Sequence, residues 1–214
     1  MKILVYGATG RIGSRIVAEA VARGHDVVAA TRGPSEVPGA SEVVRGDILD
    51  PVSVAGLAAG RDAVISAISS GFLKGAPAYD VYVAAAGSLV DGLRTAGPAA
   101  PRVILVGGAG SLVVGSGVRV VDLPDFPPQF KDEALAQADA LEIWRSVDDI
   151  DWTYVSPAGT IEPGERTGRY RRGGDELLVD ETGQSTISME DYAVAVVDEL
   201  EEPAARRTRI TVAY

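Results

Sequence analysis

Cysteine is absent from these 214 residues, and histidine occurs once, as His25. The first absence removes disulfides, thiolate ligands and a cysteine nucleophile together. The second removes zinc sites and any Ser-His-acid relay, because both need imidazoles, so no metal site is expected. Positive charge is scarce as well: 20 Lys+Arg stand against 30 Asp+Glu, a formal net charge of -10. An acidic chain without a basic stripe is a poor partner for nucleic acid or an anionic membrane. No apolar run approaches the ~20 residues of a membrane span. Met1-Lys2 leads straight into Ile3-Leu4-Val5 with no charged leader and cleavage site around it, which reads as a cytoplasmic protein beginning with a strand. Chemistry therefore falls to a bound cofactor or to carboxylates acting on a small molecule. Oligomeric state is not readable at this level.

What the chain does have is 46% hydrophobic and 23% charged residues, the balance of a globular domain. A chain of this length buries roughly 70% of its unfolded surface without a staple. Apolar runs alternate with helical periodicity: strands over Lys2 to Tyr6, Asp26 to Thr31, Glu42 to Arg45, Asp62 to Ala67, Arg102 to Val106 and Trp152 to Ser156. Helices are expected over Arg11 to Arg23, Pro51 to Ala58, Tyr79 to Ala96 and Lys131 to Val147. Continuous apolar strands joined by helices specify an α/β fold, a doubly wound Rossmann-type parallel sheet covered on both faces. After Pro157 the pattern loosens into short strands over Thr167 to Tyr170 and Glu176 to Val179, a helix over Met189 to Leu200 opened by Ser188, and a closing strand, Thr208 to Ala213. One domain, 1–214, is expected, with substrate-side elements at about 107–130 and 157–188.

Gly7-Ala8-Thr9-Gly10-Arg11-Ile12-Gly13 lies directly between the first strand and the first helix. A doubly wound sheet binds a pyrophosphate at this place. The first glycine permits the turn, the second lets backbone N–H groups approach the phosphates, and the third packs helix on strand with its N-terminus toward the anion. The spacing G-x-x-G-x-x-G resembles that of the extended and atypical short-chain dehydrogenase/reductase superfamily. Within it the chain resembles the NAD(P)H-binding NmrA-like group, which includes small flavin and biliverdin reductases. Further motifs carry the likeness along the chain: Thr31-Arg32, Gly46-Asp47-Ile48, Asp62-Ala63-Val64-Ile65, Val106 to Ser111, and Asp151 to Pro157.

At the end of the second strand, where an acid would accept from an NAD ribose, stands Arg32. A guanidinium suits a 2'-phosphate, so NADP(H) is the expected cofactor, with Arg11 closing on the same phosphate. Two solvated surface arginines are the competing reading. The resemblance implies that Asp47 accepts from the adenine amino group, with Ile48 packing on the ring. Ala67, Ile68 and Ser69 would pass beneath the ribose and pyrophosphate, although Ser69-Ser70-Gly71 reads equally well as a polar loop. Asp50, before Pro51, is the better helix cap.

Superfamily members that reduce carbonyls use a Tyr-x-x-x-Lys pair, which this sequence lacks: its lysines are Lys2, Lys74 and Lys131, and none lies four residues after a tyrosine. An alkoxide leaving a simple ketone needs a positioned acid, whereas a flavin or quinone takes up hydride into a delocalised system. The expected reaction is therefore NADPH-dependent hydride transfer to a flat conjugated acceptor. A non-catalytic NADP(H)-binding sensor and a tailoring reductase or epimerase of specialised metabolites remain alternatives. Gly107 and Gly108 would leave room for the ring beside the nicotinamide, and Ser111 is the candidate proton donor, against a serine that holds its own loop. Phe72, Phe126 and Phe130 are candidate apolar walls, against ordinary core packing. Leu112 to Gln129 is the candidate substrate cover, with Pro157 and Ala158 over the nicotinamide. Arg166, Arg169, Arg171 and Arg172 would meet an anion or form a solvated hairpin.

Overall fold

Continuous apolar runs need cover on both sides, and the chain supplies it by sending alternate side chains of each strand to opposite helical layers. In a computed structural model, described over residues 1–69, 77–115 and 117–214, the first part reads β1 (Lys2–Tyr6), α1 (Gly13–Ala22), β2 (Asp26–Thr31), β3 (Glu42–Arg45), α2 (Pro51–Ala58), β4 (Ala63–Ser66), α3 (Ala78–Arg94) and β5 (Arg102–Val106). There follow β6 (Val113–Val114), β7 (Val118–Arg119), α4 (Lys131–Arg145), β8 (Trp152–Ser156), β9 (Thr160–Glu162), β10 (Arg171–Gly173), β11 (Thr186–Ser188), α5 (Met189–Glu201) and β12 (Thr208–Ala213).

Eight strands form the main sheet in the order β10-β12-β8-β5-β4-β1-β2-β3. All pairs are parallel except β10 with β12. The chain is thus a Rossmann-like α/β fold, with the order reversing at β1 and β4. Ile3, Val5, Val27 and Ile65 face α1 and α5, where Ile16, Val17, Tyr192 and Val196 complete one core. Leu4, Tyr6, Val28 and Val64 face α2, α3 and α4, where Val54, Leu89 and Trp144 complete the other. Each such fully buried Val, Leu or Ile contributes about 1.5–3 kcal/mol.

Local signals end the helices where expected. Gly24 adopts φ +82, and the Gly24 N–H to Val21 O and His25 N–H to Ala20 O bonds close a Schellman motif after α1. Asp50 accepts from Val52 N to cap α2, and Ser188 accepts from Asp191 N to cap α5.

The region after Pro157 departs from expectation. No strand forms over 167–170, because the N–H groups of Thr167 and Gly168 turn inward to the buried Asp191 carboxylate at 2.8 and 2.7 Å and cannot join a ladder. The edge strand is β10, a few residues later, and 176–179 makes only an isolated bridge from Glu176 to Val113. The segment 112–129 is better anchored than a plain loop: β6 and β7 form a hairpin in it, and Leu112 and Val121 are fully buried. Strands of two or three residues, such as β6, β7, β9 and β11, are too short to leave a period in sequence.

Candidate active site

At the ends of β1 and β4 the backbones approach so closely that glycine is obligatory at two positions. A Cβ on Gly7, which has φ +77, would stand 2.2 Å from Ala67 O, and one on Gly13 would stand 2.0 Å from Gly7 O. Gly10 differs: its N–H donates to Gly7 O at 2.9 Å, and an added Cβ would be 3.2 Å from that same oxygen. Ile12 holds the N-cap position of α1, where no side chain caps the helix and no acid occupies the first turn. An uncapped helix N-terminus behind a glycine turn fits a dinucleotide pyrophosphate. Thr9 is exposed on the turn. Ala67 and Ile68 are buried where β4 ends, and Ser69 is exposed just beyond.

Beside this turn, at the ends of β2 and β3, lies a groove of about 820 Å³ lined by Thr31 to Glu36 and Val43 to Arg45. Arg32 lines it, as the sequence implies. The second arginine there is Arg45, brought over because β2 and β3 pair Thr31 with Arg45. Arg11 belongs elsewhere, in the lining of a second cavity, so it does not share Arg32's groove. Asp47 is exposed, and its Oδ1 accepts from Leu49 N at 3.0 Å in a local turn. Ile48 corrects an expectation: it is 0% exposed and packs in the core with Tyr6 and Val54, so its side chain offers no surface to an adenine ring.

The second cavity, a cleft of about 740 Å³, opens at the C-terminal side of β5 and β8 between α4, the 109–130 segment and β9. Phe126 and Phe130 both line it, and Phe130 is 57% exposed. Phe72 lies outside the described residues. Ala109 and Gly110 border the cleft, as does Gly159, which follows the buried Pro157 and Ala158. Gly107 and Gly108 do not leave open room for a ring. Their missing Cβ atoms are replaced by the protein itself, Tyr154 Cε1 at 1.9 Å from the position on Gly107 and Gln137 Oε1 at 1.8 Å from that on Gly108. Burial pushes the Tyr154 phenol up to about 12.

Ser111 is also corrected. Its Oγ accepts from Arg209 Nη1 at 2.8 Å, and it lines a separate cavity with Asp175 and Arg145. Arg209 is itself buried and paired with Asp175, and Ser111, tied to it, is not among the residues lining the aromatic cleft. The arginines near β10 serve mostly as tertiary ties. Arg166 grips Glu19 of α1 with two bonds of 2.7 Å, Arg172 pairs with Glu199, and Arg171 donates to the Tyr214 and Val179 carbonyls.

Sequence reasoning missed five polar residues of the cleft: Arg11 in this role, Glu133, Gln137, Thr160 and Glu162. Glu133 and Gln137 lie four apart on α4 and so share a face; that spacing was visible, but which face met the cleft was not. Among the described residues no group of three His, Cys, Asp or Glu is placed to hold a metal ion, and no helix is long and apolar enough to cross a membrane.

A parallel sheet with its order reversal at an open glycine turn, flanked by an arginine-bearing groove and an aromatic cleft, defines a dinucleotide-binding α/β protein. The profile of the NAD(P)H-binding family matches residues 7–203, and the chain belongs to that family. Among solved structures, a Burkholderia pseudomallei protein provisionally named as exported is 47% identical, with a TM-score of 0.89 over 100% of both chains. A Streptococcus pneumoniae protein provisionally named an NADH-flavin reductase is 35% identical, with a TM-score of 0.88 over 100% of this chain and 99% of its own. A Bacteroides thetaiotaomicron protein provisionally named an epimerase is 36% identical, with a TM-score of 0.87 over 100% of this chain and 96% of its own.

Proposed function

We propose that the protein is an NADPH-dependent reductase that passes hydride to a flat conjugated acceptor, flavin or quinone, held in the cleft beside Phe126 and Phe130. The observation that carries this reading is the cleft's make-up: apolar walls open to the glycine-turn side through Arg11, and no Tyr-Lys pair among the described residues of its lining. Phe130 and Ala134, four residues apart at the start of α4, both line the cleft. Neither can move a proton, so the Tyr-Lys route of proton delivery is not open at these two positions.

The bound dinucleotide supplies the hydride. Gly7, Thr9, Gly10, Ile12 and Gly13 hold its pyrophosphate through the uncapped N-terminus of α1, and Arg32 with Arg45 selects the 2'-phosphate. Asp47, Ala67, Ile68 and Ser69 line the route between adenosine and cleft, and Pro157 and Ala158 support the nicotinamide end. Phe126 and Phe130 orient the acceptor by stacking and exclude water from it. The likeness to a protein named as an NADH-flavin reductase supports the reductase class, and a cytoplasmic site of action fits it. NADPH oxidation followed by absorbance with FMN, riboflavin and menadione tests the reading. Turnover above the spontaneous rate is expected with at least one acceptor, and its absence with all three sinks the proposal.

A further inference from the structure

Arg11 and Arg15 stand four residues apart at the start of α1, and only Arg15 is paired. Its Nε donates to Glu190 Oε1 at 2.6 Å, and its Nη1 donates to the Arg11 carbonyl at 2.7 Å. Glu190 Oε2 in turn accepts from Gly164 N at 2.7 Å, next to Pro163 of the cleft lining. The main chain at Arg11 is thereby tied to the β9 side of the cleft. Its guanidinium is exposed and, among the described residues, forms no ion pair, although the chain holds 30 acids. It is also the one cationic side chain among the described residues of the cleft lining.

Two acids set where an anion can sit. Glu133, bonded by the Tyr82 hydroxyl at 2.6 Å, lines the α4 wall, and Glu162 lines the β9 wall. Like charges repel more strongly in a cleft than in bulk water, so an anion is disfavoured beside either acid and favoured at the guanidinium. The planar fork of an arginine suits an oxyanion, which it can hold by two bonds. Phe126 and Phe130 offer their faces to a flat ring in the same cavity of about 740 Å³. We infer that the acceptor joins its flat ring to an oxyanion, phosphate or carboxylate, which Arg11 binds at the glycine-turn end of the cleft. The inference rests on reading this cleft as the acceptor site. The other oxyanion expected near this turn is the cofactor's own pyrophosphate.

FMN and riboflavin share one ring system and differ by a phosphate. With NADP+ saturating, so that the Arg32 groove is filled, quenching of flavin fluorescence should give the wild-type protein a dissociation constant about tenfold lower for FMN, the lower end for a charge-assisted bond, as suits an exposed arginine. The same ratio is expected in kcat/KM with NADPH, and it should shrink as ionic strength rises. Arg11→Gln should bring both ratios to within about threefold, with the loss on FMN, and Arg11→Lys should keep part of the preference because the charge remains. Equal binding of the two flavins by the wild-type protein overturns the inference without recourse to any variant, as does a preference that survives in Arg11→Gln. Lost NADP+ affinity by calorimetry in that variant, with the wild-type flavin ratio intact, overturns it in favour of the pyrophosphate. Turnover of both flavins with equal efficiency would sink this inference and leave the reductase reading standing. An Arg11-dependent FMN preference with no turnover of any acceptor would do the reverse.

Discussion

Replacing Gly10 and Gly13 separately by alanine should split cofactor binding from folding. A Cβ on Gly13 would stand 2.0 Å from Gly7 O, a backbone atom that cannot rotate aside. Relief requires moving α1 from β1, and we assign the upper part of the overpacking range, about 3 kcal/mol. For a chain of this size that lowers Tm by roughly 6–12 °C. A Cβ on Gly10 would stand 3.2 Å from Gly7 O and 3.9 Å from Ala67 O, which a shift of a few tenths of an ångström accommodates. The unfolded state gains stiffness from the same methyl, worth about 0.4–1 kcal/mol in the opposite direction, so Tm should move by no more than about 3 °C. The methyl does stand on the turn where N–H groups must reach phosphate. Losing one charge-assisted bond of about 1.5–3 kcal/mol weakens NADPH roughly ten- to a hundredfold. Thermal melts by circular dichroism and titration calorimetry with NADPH measure the two effects. Wild-type NADPH affinity in Gly10→Ala, or a wild-type melt in Gly13→Ala, would refute the assignment of roles within the turn.

Arg32→Ala should weaken NADPH about ten- to a hundredfold and leave NADH within about twofold, compared by calorimetry; an equal loss for both would remove Arg32 from the 2'-phosphate. Glu199 is fully buried between Arg102 at 2.6 Å and Arg172, so Glu199→Ala leaves the buried Arg102 guanidinium only its longer 3.9 Å pairing with Asp151 and should cost about 3 kcal/mol in urea unfolding. A cost under about 1 kcal/mol would mean that water replaces the carboxylate. Asp191 carries the acid sensitivity of the β10 region. Burial raises its pKa, but bonds from Thr167 Oγ1, Tyr214 Oη and the Gly168 and Thr167 N–H groups prevail and hold it below the ordinary 3.8. A carboxyl lowered in the folded state stabilises above its unfolded value and loses that contribution as pH falls through the folded one. Asp191→Asn should therefore melt lower at neutral pH and show a flatter Tm profile below about pH 4; a profile parallel to wild type would place the acid sensitivity elsewhere.

Sequence alone determined whatever depends on neighbours along the chain. β1, β2, β3, β5, β8 and β12 begin and end at the residues expected from their apolar runs. Asp50, Ser188 and Gly24 end or open helices through bonds that span only a few residues. Gly7 to Gly13 likewise specify their turn by backbone conformation and close approach, which side-chain size governs directly.

The tertiary structure decided where side chains point once a strand has ended, because packing partners from distant segments set that direction. Ser111 turns to Arg209, 98 positions away, and Ile48 turns inward onto Tyr6 and Val54. The space beside Gly107 and Gly108 is taken by Tyr154 and Gln137. Glu133 enters the cleft wall fixed by Tyr82, 51 positions earlier. Arg166 finds Glu19 across 147 positions. A local pattern can announce a phosphate-binding turn, since backbone groups and a helix end compose it. The cleft beside Phe126 and Phe130 is made of side chains drawn from α4, β9 and the 109–130 segment, and only their packing sets which of them face one another.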